Sequence, residues 1–81
     1  MYYVYVLRRL KEKKLYTGHT NNLSERIEEY NKGLAKSTKN RRPFELLYYE
    51  ASNILEDVVK REKSLKTGFG RAYLKRRISG L

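Results

Sequence analysis

An apolar run at residues 1–7 sets strict limits on the fold. Residues Tyr2 to Leu7 are β-branched, aromatic or aliphatic, a composition typical of a β-strand, and the charged Arg8 and Arg9 end the run. Because the run is apolar on both faces, we expect a strand that is covered on both sides and lies at the centre of its sheet. It is too short to span a bilayer. Its charges follow the apolar stretch rather than precede it, so we do not expect a signal peptide.

The rest of the chain predicts two further strands and three helices, in the order β-β-α-β-α-α. With 81 residues, we expect one domain over residues 1–81. The predicted elements after the first strand are a strand at Leu15–Gly18 that forms an antiparallel hairpin with it, a helix at Thr20–Gly33, a strand at Phe44–Glu50, a helix from Ile54 to about Lys66 and a short helix at Arg71–Ile78.

Helix start and stop signals support these boundaries. The first helix begins with capping residues and ends at Gly33, Asn53 is suited to cap the second helix, and Gly68 and Gly70 interrupt it. Helical spacing defines the buried stripe of the first helix, which consists of Leu23, Ile27, Tyr30 and Leu34.

The charge of the chain indicates a polyanionic partner. Nineteen Lys and Arg residues face nine Asp and Glu residues, for a net charge of +10. Acidic lipid and acidic protein are the alternatives to nucleic acid, but nothing in the sequence predicts a membrane segment. The chain contains no Cys, which excludes disulfides and thiolate zinc sites and is typical of a cytoplasmic protein.

A carboxylate interrupts the apolar face of the second predicted helix. Leu55, Val58, Val59 and Leu65 share one arc of the helix, and Glu62 projects close to its middle. Burying a carboxylate without a partner costs several kcal/mol, so something must compensate this one. A salt bridge to a basic residue beside the core is one interpretation. A metal-binding or acid–base carboxylate is the other.

Two other polar residues are candidates for function. Arg26 lies beside the apolar stripe of the first helix and leans towards the sheet, where a guanidinium suits bidentate phosphate binding; a solvated side chain is the alternative. His19 follows the hairpin's second strand. As the one histidine of the chain it cannot build a transition-metal site with other His or Cys residues, and single loop histidines usually have no function.

The chain carries an ordered series of short motifs. They are Tyr3-Val4-Tyr5, Tyr16-Thr17-Gly18, Asn22-Leu23 with Arg26, Tyr30-Asn31, Pro43, Leu46, Tyr49-Glu50, Arg61-Glu62-Lys63 and Leu65-Lys66. This series covers essentially the whole chain from Tyr2 to Ile78, and it resembles the GIY-YIG nuclease superfamily, most closely its small bacterial members. Tyr3 stands where the first triplet of the family has its first Gly, and Thr17 stands for the Ile of the second triplet.

The resemblance implies an α+β fold, a three-stranded antiparallel sheet flanked by helices, with an active site on the face of the sheet. It implies that Tyr5 and Tyr16 lie beside the scissile phosphate, that Arg26 contacts it, and that Glu62 holds one Mg²⁺ or Mn²⁺ ion. Tyr30 occupies the position, four residues after the arginine, where many members have His and others have Tyr. Gly18 would let the backbone approach the substrate. The next residue, His19, stands at a position where family members have various polar residues.

On this basis we expect a metal-dependent endonuclease that acts on DNA rather than RNA. The alternative is a catalytically inactive nucleic-acid-binding module of the same fold. A basic structural or ribosome-associated protein would explain the charge but not Glu62. Larger relatives in repair, restriction and homing carry separate targeting domains, so specificity is either low or supplied by a protein partner.

Two spatial expectations follow. Tyr5, Tyr16, Arg26 and Glu62 are expected to converge on one concave patch of the sheet's face. Basic residues of the long loop and of the last helix are expected to follow the nucleic-acid backbone. They are Lys36, Lys39, Arg41, Arg42, Lys75, Arg76 and Arg77.

Overall fold

The computed structural model describes residues 1–10, 14–33 and 43–81. It confirms the α+β class and the predicted order of elements. No helix in these described ranges is long and apolar enough to cross a membrane. The strands are β1 (Tyr2–Arg9), β2 (Leu15–Thr20) and β3 (Phe44–Ser52), and the helices are α1 (Leu23–Asn31), α2 (Leu55–Leu65) and α3 (Gly68–Arg77).

Strand β1 lies at the centre of an antiparallel sheet with the order β2-β1-β3, as its apolar composition predicted. None of the residues from Val4 to Leu7 exposes more than 2% of its surface. Burial on both faces of one strand requires a layer of structure on each side of the sheet. The strand order also makes β2 an edge strand of the described sheet.

Alternate residues of β1 point into two separate cores. Val4 and Val6 contact α2 and α3, whereas Tyr5 and Leu7 contact α1. Helix α1 therefore covers one face of the sheet, here called the α1 face, and α2 with α3 covers the other, here called the α2 face. The buried partners are Val58, Leu65 and Leu74 on the α2 face, and Tyr30 and Phe44 on the α1 face.

A β-bulge changes which face the side chains of β3 meet. Val6 pairs with Tyr48 but the next residue, Leu7, pairs with Leu46, so Leu47 is an extra residue on β3. As a result Leu46 packs on the α1 face and Tyr48 packs on the α2 face, although residues two apart on a regular strand point to the same face. One strand thus contributes its first half to one core and its second half to the other.

Two helix starts differ from the sequence prediction. The N-cap of α2 is Ile54 rather than Asn53, and the Ser52 hydroxyl accepts a hydrogen bond from the Ile54 N–H at 3.1 Å. Helix α3 begins at Gly68 rather than Arg71, because Thr67 caps it by accepting a hydrogen bond from the Gly70 N–H at 3.2 Å. The glycines expected only to end one helix also form the first turn of the next.

Gly70 allows α2 and α3 to meet closely. A Cβ atom at this position would lie 2.3 Å from the Ser64 carbonyl oxygen and 2.4 Å from the Leu65 Cα. Both obstacles are backbone atoms, so a side chain could be accommodated only by moving the helices apart. This contact fixes the position of α3 relative to α2.

Candidate active site

Tyr5, Arg26 and Tyr30 form a connected cluster on the α1 face. The Arg26 Nε donates a hydrogen bond to the Tyr5 hydroxyl at 3.2 Å, and the Tyr30 hydroxyl lies 3.3 Å from the same oxygen. Arg26 and Tyr30 are four residues apart on α1 and share a helix face. The Arg26 guanidinium lies over the Tyr30 ring, 5.1 Å from its centroid, and its Nη1 contacts Glu29 at 3.2 Å. As predicted, Arg26 leans towards the sheet.

The electrostatics of this cluster favour a fixed positive charge. The hydrogen bond with Tyr5 raises the pKa of Arg26, against the opposing effect of burial, and the guanidinium stays charged. Burial raises the pKa of Tyr30 well above its ordinary value, and its hydrogen bond with Tyr5 acts in the same direction. The raised pKa keeps the Tyr30 hydroxyl neutral beside Arg26, whose side chain is only partly exposed.

Tyr16 joins this region through aromatic contacts. It pairs with Leu7 across β2 and β1, which directs its side chain to the α1 face. The ring packs edge-on against Phe44 with a centroid distance of 5.2 Å, and Phe44 packs against Tyr30 at 5.3 Å. The Lys14 Nζ lies 5.6 Å from the centroid of the Tyr16 ring. Tyr16 is half-buried at the edge strand, with positive charge beside it.

Gly18 lies directly opposite Tyr5 in the β1–β2 register. A Cβ atom on Gly18 would be only 2.4 Å from the Tyr5 hydroxyl oxygen and 2.7 Å from Cζ. The Tyr5 side chain therefore extends across β2 over the bare backbone of Gly18. The structure gives a reason for this glycine that the sequence did not suggest: it makes room for a tyrosine.

Glu62 has two basic partners. His19 Nδ1 donates a hydrogen bond to Glu62 Oε1 at 2.5 Å, and Lys66 Nζ donates one to Oε2 at 2.8 Å. The carboxylate side chain is only 18% exposed. Partial burial acts to raise the pKa of Glu62, but the hydrogen bonds from Lys66 and His19 outweigh it and bring the pKa below its ordinary value. The compensation that the sequence required is therefore present.

Sequence reasoning missed both of these partners. His19 lies within β2 rather than after it, and its side chain forms a hydrogen bond with Glu62. Lys66 follows Glu62 by four residues, the helical spacing at which oppositely charged side chains meet, so this signal was available in the sequence.

The prediction that four residues converge on one face of the sheet is wrong. His19 pairs with Val4, whose side chain points to the α2 face, so His19 and its partner Glu62 lie on that side. Tyr5, Tyr16 and Arg26 lie on the α1 face. The reason is that α1 and α2 cover opposite faces of the sheet, an arrangement that helical periodicity does not specify.

The two groups nevertheless meet the same edge strand at neighbouring positions. The Tyr5 hydroxyl lies over Gly18, and the next residue, His19, binds Glu62. Successive residues of a strand are about 3.4 Å apart along its axis. Arg26 and Glu62 are therefore held on either side of β2, close to one short stretch of its backbone.

The side chains near Glu62 fit only a metal ion that takes few of its ligands from the protein. Within residues 1–10, 14–33 and 43–81, no group of three or more His, Cys, Asp or Glu side chains could hold an ion. Magnesium needs one or two carboxylates, because water and phosphate oxygens supply its other ligands. Glu62 provides one carboxylate, with the His19 imidazole beside it. These residues suit a hydrated divalent ion that a phosphate helps to bind.

The predicted basic residues divide into two sets. Lys36, Lys39, Arg41 and Arg42 lie outside the described residues. Lys75, Arg76 and Arg77 form the exposed last turn of α3, and the Arg77 guanidinium lies 5.1 Å from the Tyr73 ring centroid. Arg61 also lies near this ring, 4.7 Å from the Tyr73 centroid, and binds Glu50 through two hydrogen bonds of 2.9 Å.

Comparison with known proteins identifies the family. Residues 1–77 match the family model described as the GIY-YIG catalytic domain. The chain belongs to the GIY-YIG family, as the sequence motifs predicted.

Its relatives include proteins named UPF0213. A UPF0213 protein of Syntrophus aciditrophicus is 46% identical over 66 residues, which cover 79% of this chain and 75% of the relative. One from Staphylococcus haemolyticus is 42% identical over 67 residues, covering 82% and 80%. The solution NMR structure of a UPF0213 protein from Bacillus halodurans matches with a TM-score of 0.59 at 30% identity, covering 99% of this chain and 88% of that one.

Proposed function

We propose that this protein is a metal-dependent endonuclease that hydrolyses phosphodiester bonds in DNA. One observation carries the proposal: Arg26 and Glu62 are each held by hydrogen bonds on either side of the same short stretch of β2. Membership of a nuclease family supports the reaction class. The net charge of +10 supports a polyanionic substrate.

In this proposal the scissile phosphate lies at the edge of β2, beside Gly18 and His19. Arg26 reaches it from the α1 face and neutralises charge that grows on a nonbridging oxygen as water attacks phosphorus. Tyr5 and Tyr30 hold the guanidinium in place before the substrate arrives, so little reorganisation is needed during the reaction. Arg26 is the residue on the α1 face assigned direct phosphate contact.

Glu62 acts from the α2 face. A single Mg²⁺ or Mn²⁺ ion held there would supply positive charge near the leaving oxygen. Lys66 is half-exposed and four residues along the helix, so its ammonium is able to turn from the carboxylate towards a phosphate oxygen. His19 keeps the carboxylate oriented, since its Nδ1 binds the other oxygen.

Tyr16 is the candidate for proton transfer to or from the attacking water. It is half-buried at the edge strand, and the Lys14 ammonium lies near its ring. Phenols have an ordinary pKa near 10, so proton transfer by a tyrosine depends on nearby positive charge. Tyr5 is less suited to this role, because it is 2% exposed and its hydroxyl is engaged with Arg26 and Tyr30.

A second function is favoured by one specific observation. Glu62 already forms hydrogen bonds with Lys66 and His19, so the fold does not require a metal at this position. An inactive nucleic-acid-binding module of the same fold would have this property. Both functions predict salt-sensitive binding, and only the nuclease predicts cleavage.

The deciding experiment is cleavage of supercoiled plasmid with Mg²⁺ or Mn²⁺. Wild-type protein is expected to nick the plasmid, and Glu62→Gln is expected to abolish nicking while it retains DNA binding. Glu56→Gln is the matched control, because that carboxylate is on the same helix and is 76% exposed. Wild-type protein that cleaves no DNA under these conditions would favour the binding module.

A further inference from the structure

Two adjoining cavities form a groove between the β2 edge and α3. Their volumes are about 430 and about 300 Å³, and both are lined by Leu15 and Arg71. The smaller one also contains Tyr16 and Lys66, which belong to the candidate active site. The larger one continues along α3 past Ala72 and Lys75. The groove, here called the β2–α3 groove, therefore leads away from the site along one side of the molecule.

The lining of this groove combines cations with an apolar floor. Lys66, Arg71 and Lys75 follow one another along it, and no Asp or Glu side chain is among the described residues that line it. Arg71 and Lys75 are four residues apart and so lie on the same side of α3. Leu15 and Leu81 are partly exposed and line the same groove.

The size of the groove favours a single strand over a duplex. Cavities of about 300–1,000 Å³ hold molecules of drug size, so each of these matches one or two nucleotides. The major groove of a duplex alone is about 12 Å wide, and a whole duplex does not enter such a space. A single strand can place phosphates on the cations and its bases or sugars on the leucines.

We propose that the β2–α3 groove binds a single-stranded segment of nucleic acid that adjoins the scissile phosphate. The substrates of this enzyme would then be nucleic acids with an unpaired segment beside the cleavage point, such as flaps, gaps or branched ends. The part of this proposal that leads the bound nucleic acid to Tyr16 and Lys66 rests on the proposed nuclease function. The part that places a single-stranded segment in the groove is independent of that function.

The test places a negatively charged side chain in the groove. Ala72 is exposed on α3 and lines the groove, so Ala72→Glu narrows it and repels phosphates there without disturbing a core. Ala51→Glu is the matched control with the same change of charge, since Ala51 is also exposed but lines a different cavity beside β3. Binding is measured by fluorescence anisotropy without metal, using a labelled single-stranded oligonucleotide and a blunt duplex. Ala72→Glu is expected to weaken single-strand binding about tenfold relative to Ala51→Glu, with equal duplex binding in the two variants.

A second pair of variants tests the charges. Arg71→Ala and Lys75→Ala are each expected to lower the salt dependence of single-strand binding by about 0.7 in the logarithmic slope. Lys60→Ala is the control, because that lysine is 73% exposed and pairs with Glu56. Unchanged single-strand affinity and slope in these groove variants, or equal weakening of duplex binding, would overturn the proposal. Thermal unfolding of each variant verifies that it folds.

Cleavage of a flap substrate separates this proposal from the proposed function. If wild-type protein cleaves flaps faster than blunt duplex and Ala72→Glu removes the difference, both are supported. If no substrate is cleaved but Ala72→Glu still weakens single-strand binding, the groove assignment stands and the nuclease assignment fails.

Discussion

The Arg26 Nε donates a hydrogen bond to the Tyr5 hydroxyl across 3.2 Å, which joins helix α1 to the central strand. Tyr5 exposes only 2% of its surface, and its hydroxyl has a second neighbour in Tyr30. A tyrosine buried in this way acts through the arginine that it holds. Tyr5 is thus a positioning residue, and the partly exposed Arg26 is the group placed to meet an anion.

Removal of the Tyr5 hydroxyl tests this role. Tyr5→Phe is expected to slow single-turnover cleavage about tenfold, equivalent to about 1.4 kcal/mol, because Arg26 loses its fixed orientation. The control is Tyr49→Phe, which alters a 52% exposed tyrosine opposite Tyr5 on β3. Nucleic-acid affinity should change little in either variant. An unchanged cleavage rate in Tyr5→Phe would show that the hydroxyl does not position Arg26.

Lys66 sets the acid limit of cleavage if Glu62 must be ionised to hold a metal. Its hydrogen bond is among the contacts that bring the pKa of Glu62 below its ordinary value. Lys66→Gln is expected to raise that pKa and move the acid limb of the pH–rate profile to higher pH. Lys63→Gln, an exposed lysine on the same helix, is the control. An acid limb in the same place in both variants would contradict the assignment, whatever the absolute rates.

Glu50 is expected to make the folded state sensitive to acid. Partial burial acts to raise its pKa, but hydrogen bonds from Arg61 and Tyr48 outweigh this and bring the pKa below its ordinary value of 4.5. A carboxyl with a depressed pKa stabilises the folded state above the pKa of the unfolded chain. This stabilisation is lost as the pH falls through the folded-state pKa.

Urea unfolding of Glu50→Gln measures that contribution. At pH 7 the variant is expected to be less stable than wild type by about 1 kcal/mol, a value that allows for solvent screening of a partly exposed ion pair. The difference should shrink as the pH is lowered below 4.5, the ordinary pKa of the group. Equal stability of the two proteins at pH 7 would mean that the Arg61 contact contributes nothing.

Two neighbouring glycines should respond in opposite ways to the same substitution. Gly70→Ala is expected to destabilise the fold by roughly 1–3 kcal/mol, because the new Cβ meets backbone atoms of α2. Gly68→Ala should be neutral or stabilising by up to about 1 kcal/mol, since nothing lies within 4 Å of a Cβ there. Thermal unfolding of both variants tests the pair. Similar melting temperatures would show that the α2–α3 contact is looser than the structure indicates.

The sequence predicted those features that depend on local pattern. The order of elements, the central position of β1 and the need for a partner at Glu62 all follow from apolar periodicity and from the cost of burying charge. The distribution of the helices over the two faces did not follow, because an apolar stripe specifies that a helix packs but not on which side of the sheet.

The bulge at Leu47 is a second feature that alternation could not predict. Strict alternation would put Leu46, Tyr48 and Glu50 on one face, whereas the extra residue sends Leu46 to the α1 face and the other two to the α2 face. Only then can Glu50 meet Arg61. Register in the sheet is decided by pairing across strands, and this information is spread over distant parts of the chain.

The close approach of the Tyr5 hydroxyl to Gly18 also bears on how this family changes over time. A side chain at residue 18 requires a smaller one at residue 5, so substitutions at the two positions are expected to arise together in related sequences. A descendant that had lost the tyrosine would be released from the need for the glycine as well. The tyrosine of the first triplet and the glycine of the second would then be inherited as one unit, even in members that no longer act on any substrate.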